Sequence, residues 1–419
     1  MSRIVVLLVV LGLALLVDIY AFQGLRALAR SWSDGWRTGA YIVYWVLAAL
    51  AWLGLVMYGR LSAEEYRGLR AFIVAGFSIN LMAKLFAGVA LLIGDAVRVV
   101  QWVMQRVSND PTPVAQGAKA ISRSEFMGQA AAIAAAVPTF SITFGILSGA
   151  HDYRVRKHTV YLPNLPKSFD GIRIAQVSDI HSGSFFNKRA VQGGVDMLLG
   201  EKPDLVFFTG DLVNEQTSEV KDYTEIFSKL KAPLGVYSTL GNHDYGDYRQ
   251  WPSEQAKAKN LGDMHRVVRD TLGYDLLLNE NRTLTVDGES IALIGLENWG
   301  TRFSKYGDMV KAYAGTEEAP VKLLLSHDPS HWDAQVRKEF PDIDVMFSGH
   351  THGAQFGVEV GDFRWSPSQY FYKQWAGLYQ EGNQYLYVNR GYGYIGFPGR
   401  VGMPPEITIM ELKRGNPPV

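Results

Sequence analysis

The sequence contains no cysteine among its 419 residues, which excludes disulfide bonds, thiolate metal ligands and a cysteine nucleophile. It also carries no net charge, because 41 lysines and arginines balance 41 aspartates and glutamates. We therefore expect no nucleic-acid partner, since such partners are usually bound by an excess of basic residues. Histidine is scarce, with nine residues in the chain, yet His350 and His352 lie one residue apart in the stretch FSGHTHG.

Long apolar runs lie almost entirely before residue 151, over residues 4–22, 40–58, 71–94 and 126–150. A helix needs about 20 apolar residues to cross roughly 30 Å of hydrocarbon, so the sequence predicts an all-α transmembrane region of four helices over residues 1–150. A cleaved signal peptide is an alternative for the first run, and a soluble helical domain is an alternative for the whole region. The amphipathic stretch from Val97 to Arg123 indicates a helix on the membrane surface.

Three charged residues, Asp18, Lys84 and Asp95, lie within these runs or at their ends. Charge is costly in hydrocarbon, so we expect these side chains to face other helices or a polar boundary, with a transport pathway as the alternative. An even number of crossings places the N-terminus and the region after residue 150 on the same side of the membrane. Seven lysines and arginines flank the runs on each side, so the positive-inside rule leaves that side open.

From residue 151 onward the pattern changes to short β-rich runs that alternate with helical stretches. The predicted strands cover residues 172–177, 205–209, 236–240, 322–325 and 345–347, and the predicted helices cover residues 188–199 and 223–230. This rhythm predicts a soluble α/β domain over residues 151–419. Ligands of open α/β sheets gather beyond the carboxyl ends of the strands, so we look for a site there.

Each of the five predicted strands is followed by polar residues that could bind a metal: Asp179 and His181, then Asp211, then Asn242 and His243, then His327, and then His350 and His352. In an extended segment the last two imidazoles would point the same way. Imidazole and oxygen ligands without thiolate favour Mn, Fe or Zn over Ca. Seven of these residues, all except His243, can hold two ions if one carboxylate bridges, and such ions can bind the attacking and departing oxygens of a phosphoryl displacement. The sequence therefore predicts hydrolysis of a phosphate ester.

The strings DIH, GDLVN, GNHD, SHDP and GHTH resemble the motifs of the calcineurin-like metallophosphoesterases. The resemblance implies a four-layer α/β/β/α sandwich with two divalent metal ions, Mn first among them. It also implies the role of each residue: Asp179, His181 and His352 hold one ion, Asn242, His327 and His350 hold the other, and Asp211 bridges. By the same resemblance His243 is the catalytic residue, which binds the scissile phosphate and protonates the leaving oxygen.

One position departs from the phosphoprotein phosphatase branch of that family. Asn214 stands where that branch has an aspartate that pairs with the catalytic histidine. An amide can orient an imidazole but does not stabilise its protonated form as a carboxylate does. His243 is therefore predicted to be a weaker acid or to depend on Asp244, and a protein phosphatase is disfavoured.

The C-terminal stretches SPSQYFYKQWAGLY, LYVNRGYGYIGFPGR and PPEITIMEL are similar to bacterial membrane-associated metallophosphoesterases, a group that includes UDP-2,3-diacylglucosamine diphosphatases. This resemblance implies a bacterial inner membrane and a lipid-linked substrate. The aromatic residues here are either strand and core positions or a flap that meets the membrane and admits an acyl chain: Phe363, Trp365, Tyr370, Phe371, Tyr372, Trp375 and Tyr379. Arg390 is a candidate phosphate contact.

These observations give one functional hypothesis and two alternatives. The hypothesis is a membrane-anchored dinuclear phosphoesterase in which a metal-bridging hydroxide attacks phosphorus in a phosphodiester or pyrophosphate, such as UDP-2,3-diacylglucosamine. The first alternative is a transporter with a regulatory phosphoesterase-like domain. The second is a catalytically silent membrane sensor that binds metal or ligand through the same residues.

Overall fold

The computed structural model describes residues 3–62, 65–108, 123–361 and 363–417. It divides into two compact units, one from Met1 to Phe144 and one from Gly145 to Val419. The N-terminal unit is built from four long helices: α1 Arg3–Leu28, α2 Asp34–Tyr58, α3 Arg67–Ser108 and α4 Arg123–Leu147, the last of which runs three residues into the second unit.

All four helices are long and apolar enough to cross a membrane, so the predicted all-α region of four helices is present. Helix α3 has 42 residues, about 63 Å at 1.5 Å per residue, and so exceeds the roughly 30 Å of hydrocarbon. The helix predicted from Val97 is, as far as Ser108, the continuation of α3, because no proline divides it from the preceding apolar run. The rest of that prediction, residues 109–122, lies outside the described residues.

Asp18, a buried carboxylate on α1, binds polar residues of α2 and α3. Lys84 Nζ on α3 lies 2.5 Å from Asp18 Oδ1 on α1, and both side chains are buried. On α2, Trp52 Nε1 donates to Asp18 Oδ2 at 3.0 Å and the Tyr44 hydroxyl donates to the Asp18 carbonyl at 2.6 Å. The prediction that Asp18 and Lys84 face other helices is confirmed, and together they join three helices.

The C-terminal unit contains fourteen strands and the remaining helices among the described residues. The strands are β1 Arg154–Leu162, β2 Arg173–Val177, β3 Leu205–Phe208, β4 Val236–Ser238, β5 Asp275–Leu276, β6 Glu280–Val286, β7 Glu289–Gly295, β8 Lys322–Leu325, β9 Val345–Ser348, β10 Val358–Val360, β11 Phe363–Trp365, β12 Gly377–Glu381, β13 Gln384–Val388 and β14 Glu406–Arg414. The helices are α5 Lys188–Gly200, α6 Thr224–Phe227, α7 Glu254–Arg266, α8 Met309–Tyr313 and α9 Arg337–Glu339.

Twelve of these strands form two six-stranded mixed sheets, in the order β1-β14-β2-β3-β4-β5 and β12-β13-β9-β8-β7-β6. The sheets pack face to face, and the rings of Phe207 on β3 and Phe347 on β9 meet with centroids 5.1 Å apart. Helices α5, α6 and α7 cover the outer face of the first sheet, and α8 covers that of the second. The predicted four-layer α/β/β/α sandwich is confirmed.

Strand β3 shows why this sequence produces buried sheets. Its residues Leu205 and Phe207 pack between the two sheets, whereas Val206 and Phe208 pack against the helices. Successive side chains of a strand point to opposite faces, so a strand covered on both faces must be apolar throughout. The short apolar runs of the sequence therefore become central strands, and the polar residues that follow them lie at the strand ends.

Candidate metal centre

The carboxyl ends of five strands supply the polar residues of the site. Strands β2, β3 and β4 are parallel neighbours in the first sheet, and β8 and β9 are parallel neighbours in the second. The loops after them carry all eight residues predicted from the sequence: Asp179, His181, Asp211, Asn242, His243, His327, His350 and His352. All are buried except His243 and His350, which are half-buried.

A first group of possible metal ligands consists of Asp179, His181 and His352. One ligand atom from each lies within 4.8 Å of the others. The Nε2 atoms of His181 and His352 are 3.0 Å apart, and His352 Nε2 is 3.3 Å from Asp179 Oδ1. Three donor atoms so close together suit a single ion.

A second group consists of Asp211, His327 and His350, again with ligand atoms within 4.8 Å of one another. His327 Nε2 lies 3.1 Å from Asp211 Oδ2 and 3.3 Å from His350 Nδ1. Asp211 Oδ2 also lies 3.5 Å from His181 Nε2 of the first group. Asp211 thus stands between the two groups, as a bridging carboxylate must.

Asn242 lies beside these groups with its carbonyl oxygen available. Its Nδ2 donates to the Tyr248 hydroxyl at 2.8 Å. Its Oδ1 is buried and, among the described residues, has no hydrogen-bond donor. A buried acceptor without a partner is costly, and coordination of a cation would satisfy it.

The backbone at the strand ends turns sharply to bring these side chains together. Asp179, His181, Asp211, His350 and His352 all have φ between 48° and 72°, a left-handed conformation that non-glycine residues rarely adopt and that clusters at functional sites. The expectation that His350 and His352 lie in an extended segment is therefore wrong. Because the backbone is left-handed at both residues, His350 lies with Asp211 and His327, whereas His352 lies with Asp179 and His181.

Gly349 makes this approach possible. A Cβ at this position would collide with Ser178 Oγ and Asp179 Oδ2, because the loop after β9 crosses directly over the loop after β2. The backbone N–H of His350 donates to Asp179 Oδ1 at 2.9 Å. Gly349 therefore allows the two loops, one from each sheet, to approach closely at the site.

Backbone carbonyls set the proton positions on two of the imidazoles. His181 Nδ1 lies 3.1 Å from the Val213 carbonyl, and His327 Nδ1 lies 2.7 Å from the Thr209 carbonyl. A carbonyl only accepts, so Nδ1 carries the proton and Nε2 points its lone pair into the site. Burial also lowers the pKa of His181 to about 3, which keeps its ring neutral and able to bind metal.

The negative charge of two buried carboxylates favours the binding of a cation at the site. Asp179 and Asp211 are buried carboxylates, and no lysine or arginine nitrogen of the described residues lies within 4.0 Å of either. Burial raises the pKa of Asp179 to about 6. Burial alone would lower the pKa of His327, but Asp211 and Asp179 raise it to about 10. Two buried carboxylates that lie among imidazoles, with an unsatisfied amide oxygen beside them, fit divalent metal ions.

The surroundings of His243 differ from the sequence-based expectation. Its Nδ1 lies 2.6 Å from the backbone carbonyl of Asn214, whereas the Asn214 side chain exchanges hydrogen bonds with Ser184. Asp244 does not contact His243, because its carboxylate accepts from the backbone N–H groups of Gly241, Asp211 and Leu212. Asp244 is therefore not a hydrogen-bond partner of His243, and its carboxylate instead fixes the loops that carry Asp211 and His243.

The site opens into a cavity of about 430 Å³ whose walls include Tyr248 and Arg302, which were not predicted, and Tyr372, which was predicted only as a flap residue. The Tyr372 hydroxyl lies 2.8 Å from His350 Nε2, so it orients that ring with Nδ1 toward His327. The ring of Tyr248 lies 4.4 Å from that of His243. Arg302 is the only lysine or arginine among the described lining residues. These residues belong to loops without periodic patterns, which is why sequence reasoning missed their roles.

The aromatic residues of the C-terminal region divide between both sequence-based interpretations. Trp375 is buried, but Phe363, Tyr370 and Phe371 are exposed by 62%, 70% and 62%. Phe371 also lines the cavity. Arg390 is not a phosphate contact, because it is buried and its guanidinium is bound by Glu406 at 2.6 Å and Glu359 at 2.5 Å.

Comparisons with known proteins agree with this geometry. A family model described as "Calcineurin-like phosphoesterase" matches residues 172–354. A second model, described as "Probable Calcineurin-like phosphoesterase, transmembrane domain", matches residues 2–150. The first match includes all eight residues of the site, and the second includes all four helices α1 to α4.

Three relatives illustrate the range of similar proteins. A transmembrane protein with metallophosphoesterase domain from Danio rerio is 31% identical over 280 residues, which is 65% of this chain and 60% of the relative. Metallophosphoesterase YkuE from Bacillus subtilis is 28% identical, covering 71% of this chain and 100% of the relative. UDP-2,3-diacylglucosamine pyrophosphatase LpxG from Chlamydia trachomatis is 28% identical, covering 59% and 86%. The chain thus spans about three fifths of the zebrafish relative.

The C-terminal unit therefore has the fold and sequence of a phosphoester hydrolase. The chain carries a calcineurin-like phosphoesterase domain, and its N-terminal helices match the transmembrane domain described for that family. It is a membrane protein.

Proposed function

We propose that the chain is a membrane-anchored, dinuclear metal-dependent phosphoesterase that cleaves a phosphodiester or pyrophosphate bond in a lipid-linked molecule. The observation that carries this proposal is the position of Asp211, whose Oδ2 lies within 3.5 Å of a histidine from each ligand group. One group of three ligands supports one ion. Two groups joined by a carboxylate support a pair.

In this proposal Asp179, His181 and His352 hold one ion, Asn242, His327 and His350 hold the other, and Asp211 contributes to both. The ions, of which Mn is the first candidate and Fe or Zn are alternatives, would supply Lewis acidity and an activated water. The protein fixes its ligands through Val213, Thr209 and Tyr372, which bind the ring nitrogens that face away from the other ligands. Such outer contacts set the orientation of each ligand.

His243 is assigned the role of acid. It is half-buried, it lines the cavity, and its Nδ1 donates to the Asn214 carbonyl. The proton on Nδ1 leaves Nε2 as the atom that can bind the phosphate and pass a proton to the leaving oxygen. A carbonyl orients the imidazole without the full negative charge of a carboxylate, so it stabilises the protonated ring less.

A lipid-linked substrate is supported by the wall of the cavity and by one relative. Phe303, Phe371, Tyr372 and Ile395 give the cavity an apolar side, and Phe371 is exposed by 62%. Burial of an acyl chain against such side chains is favourable by about 0.8 kcal/mol per methylene. The relative LpxG carries the name of a UDP-2,3-diacylglucosamine pyrophosphatase. We propose a substrate of this kind and a bacterial inner membrane as the location.

The test is hydrolysis of UDP-2,3-diacylglucosamine and of a bis-aryl phosphodiester by the detergent-purified chain with Mn²⁺. We expect cleavage of both substrates, with the lipid preferred, and loss of both activities in Asn242→Ala. Asn164→Ala is the matched control, because Asn164 is exposed and outside the site. Cleavage of the diester alone would reject the lipid substrate. Full activity in Asn242→Ala would reject the site.

A further inference from the structure

Arg302 is the one arginine or lysine among the described residues that line the cavity of the metal centre. It lies in the loop between β7 and α8 and is exposed. In the described ranges no carboxylate lies within 4.0 Å of its guanidinium, and no residue forms a hydrogen bond with it. Within the part of the chain that the structure describes, this guanidinium is therefore available to an anion of the substrate.

The loop that carries Arg302 is held on both sides of that residue. The backbone N–H of Thr301 donates to Ser330 Oγ at 3.0 Å, and the backbone N–H of Tyr306 donates to the Asn298 carbonyl at 2.9 Å. A group on a fixed backbone loses less conformational entropy when it binds a ligand. The loop therefore presents the guanidinium at the cavity with part of that entropy already lost on folding.

Two aromatic rings place Arg302 beside the metal ligands. The ring of its neighbour Phe303 meets the ring of His350 edge to face, with centroids 4.7 Å apart. The guanidinium carbon of Arg302 lies 5.8 Å from the ring centroid of Phe371, which also lines the cavity. Burial raises the pKa of the Tyr372 hydroxyl, and the positive charge of Arg302 is near enough to oppose that rise. The guanidinium therefore stands next to the metal centre without binding any of its ligands.

We propose that Arg302 binds the second, non-scissile phosphate of a pyrophosphate substrate and so determines a preference for pyrophosphates over phosphodiesters. This inference rests on the proposed function, because it requires the scissile phosphate at the metal centre. Hydrolysis forms a P–O bond from water to the attacked phosphorus and breaks the bond from that phosphorus to the bridging oxygen. The second phosphate leaves with that oxygen, which takes a proton from His243, and the proton that the water gives up replaces it.

The chemistry of the guanidinium suits such a leaving group. Arginine binds phosphate oxygens through two parallel N–H bonds, and these charge-assisted bonds are about twice as strong as neutral ones. The leaving phosphate gains negative charge as the bridging bond breaks, so this contact strengthens during the reaction.

A phosphodiester carries no second phosphate that could reach Arg302. Asp211 is the one acidic residue among the described residues of the cavity wall, and its carboxylate lies between the two ligand groups, more than 4.0 Å from the guanidinium. With a phosphodiester bound, Arg302 would therefore gain no ionic partner. We expect it to stabilise the reaction of a pyrophosphate and to leave that of a phosphodiester almost unaffected.

The test compares a bis-aryl phosphodiester with the corresponding diaryl pyrophosphate, two soluble compounds that differ by one phosphate group. The metal-loaded full chain in detergent should hydrolyse both. Arg302→Gln should lower kcat/KM about 30-fold for the pyrophosphate, as for the loss of a hydrogen bond to a charged group, and less than about twofold for the phosphodiester. Lys305→Gln is the matched control on the same loop, because Lys305 Nζ lies 4.1 Å from the ring centroid of Trp299 and the residue is not among the described cavity lining. It should hydrolyse both compounds as the wild type does.

A second measurement does not depend on turnover. Isothermal titration calorimetry compares methylenediphosphonate, whose two phosphoryl groups are joined by carbon and are not hydrolysed, with methylphosphonate. Arg302→Gln should bind the diphosphonate about tenfold more weakly and methylphosphonate as the wild type does, whereas a merely structural role for Arg302 would change both affinities.

Three results would overturn the proposal: equal losses for both substrates, no loss for either, or a wild type that hydrolyses the phosphodiester alone. A wild type that hydrolyses neither compound would instead reject the proposed function, and the role of Arg302 would fall with it. The phosphodiester activity of the wild type therefore separates failure of the proposed function from failure of this inference.

Discussion

Asp18 of the N-terminal unit and the metal-centre aspartates of the C-terminal unit are all buried, but their charges are compensated differently. In the N-terminal unit, Asp18 is neutralised by Lys84 at 2.5 Å. In the C-terminal unit, Asp179 and Asp211 are as deeply buried, yet they are surrounded by histidines, and no lysine or arginine nitrogen of the described residues lies within 4.0 Å. A buried carboxylate with its own counter-charge is part of the scaffold. Buried carboxylates without a lysine or arginine partner indicate a site where a metal cation can bind.

The largest effect should follow the loss of the carboxylate between the two ligand groups. Asp211→Asn keeps the shape of the side chain but removes the charge that both groups share, so we expect kcat/KM to fall by about 10³-fold, comparable to the loss of a strong electrostatic group in other hydrolases. Steady-state hydrolysis of a bis-aryl phosphodiester measures this. Asp196→Asn on the exposed side of α5 is the control and should be unchanged.

The corresponding change in the N-terminal unit should affect stability. Lys84→Met leaves Asp18 buried and unpaired, which we expect to destabilise the unit by about 3 kcal/mol. Thermal unfolding of the full chain in detergent is the measurement. Asp18→Asn/Lys84→Met should recover most of the loss, and Arg98→Met, at an exposed pair with Asp95, should have little effect. Equal stability of Lys84→Met and wild type would contradict a scaffold role for the pair.

The pH dependence of the metal-free protein should show the cost of the unpaired carboxylates. Burial raises the pKa of Asp179 to about 6 from 3.8. Between these values the folded state holds the proton and the unfolded state does not, so this group makes stability fall as pH rises from about 4 to 6. The contribution is up to roughly 3 kcal/mol. Denaturant titrations after chelation should therefore be steeper in pH for the wild type than for Asp179→Asn; identical slopes would contradict the assignment.

Binding of Mn²⁺ should offset the destabilisation that the unpaired carboxylates cause in the metal-free protein. A ligand that binds only the folded state stabilises it by about 2.7 kcal/mol at a hundred times its Kd, so Mn²⁺ should raise the unfolding temperature of the chelated wild type. Asp211→Asn should show a smaller rise at the same Mn²⁺ concentration. Asp18 is not part of a proposed metal site, so the loss of thermal stability in Lys84→Met should be the same with and without Mn²⁺. If Mn²⁺ restored the unfolding temperature of Lys84→Met, the proposed difference between the two units would be contradicted.

The smallest effect should come from an orienting residue. Tyr372→Phe removes the hydroxyl that binds His350 Nε2, and loss of such outer contacts lowers metal affinity or activity by about tenfold. We expect the apparent Mn²⁺ affinity to fall, with activity recovered at high Mn²⁺. Tyr161→Phe, away from the site, controls for the loss of a hydroxyl. A Tyr372→Phe defect that excess Mn²⁺ leaves untouched would mean that this hydroxyl contacts substrate instead.

The strand ends were predictable because two simple patterns coincide there. Runs such as Leu205 to Phe208 are apolar throughout, since both faces are covered, and a polar residue directly after them must lie at the sheet edge. The same rules could not predict the left-handed backbone at Asp179 or His350, because it arises from the crossing of two loops from different sheets. Nor could they identify the partner of His243, since a backbone carbonyl leaves no signature in the sequence.

Packing between residues far apart in the chain accounts for the other differences between the sequence-based predictions and the structure. Tyr372 and Arg302 belong to loops whose position depends on contacts far along the chain, so their approach to the metal centre has no local pattern. In the N-terminal unit, composition predicted the helices but not the length of α3, because nothing between Gly94 and Val97 stops a helix. That Asp18 and Lys84 face other helices followed from the cost of charge in lipid, whereas their pairing with each other required the structure.

We propose that Asp211 joins two ligand groups, each of which holds one metal ion. The most direct measurement is the metal content of the purified full chain after loading with Mn²⁺ and removal of free ion, by inductively coupled plasma mass spectrometry. We predict two ions per wild-type chain, and a lower content in Asp211→Asn that Asp196→Asn does not share. One ion or none in the wild type, or two ions retained in Asp211→Asn, would contradict the claim.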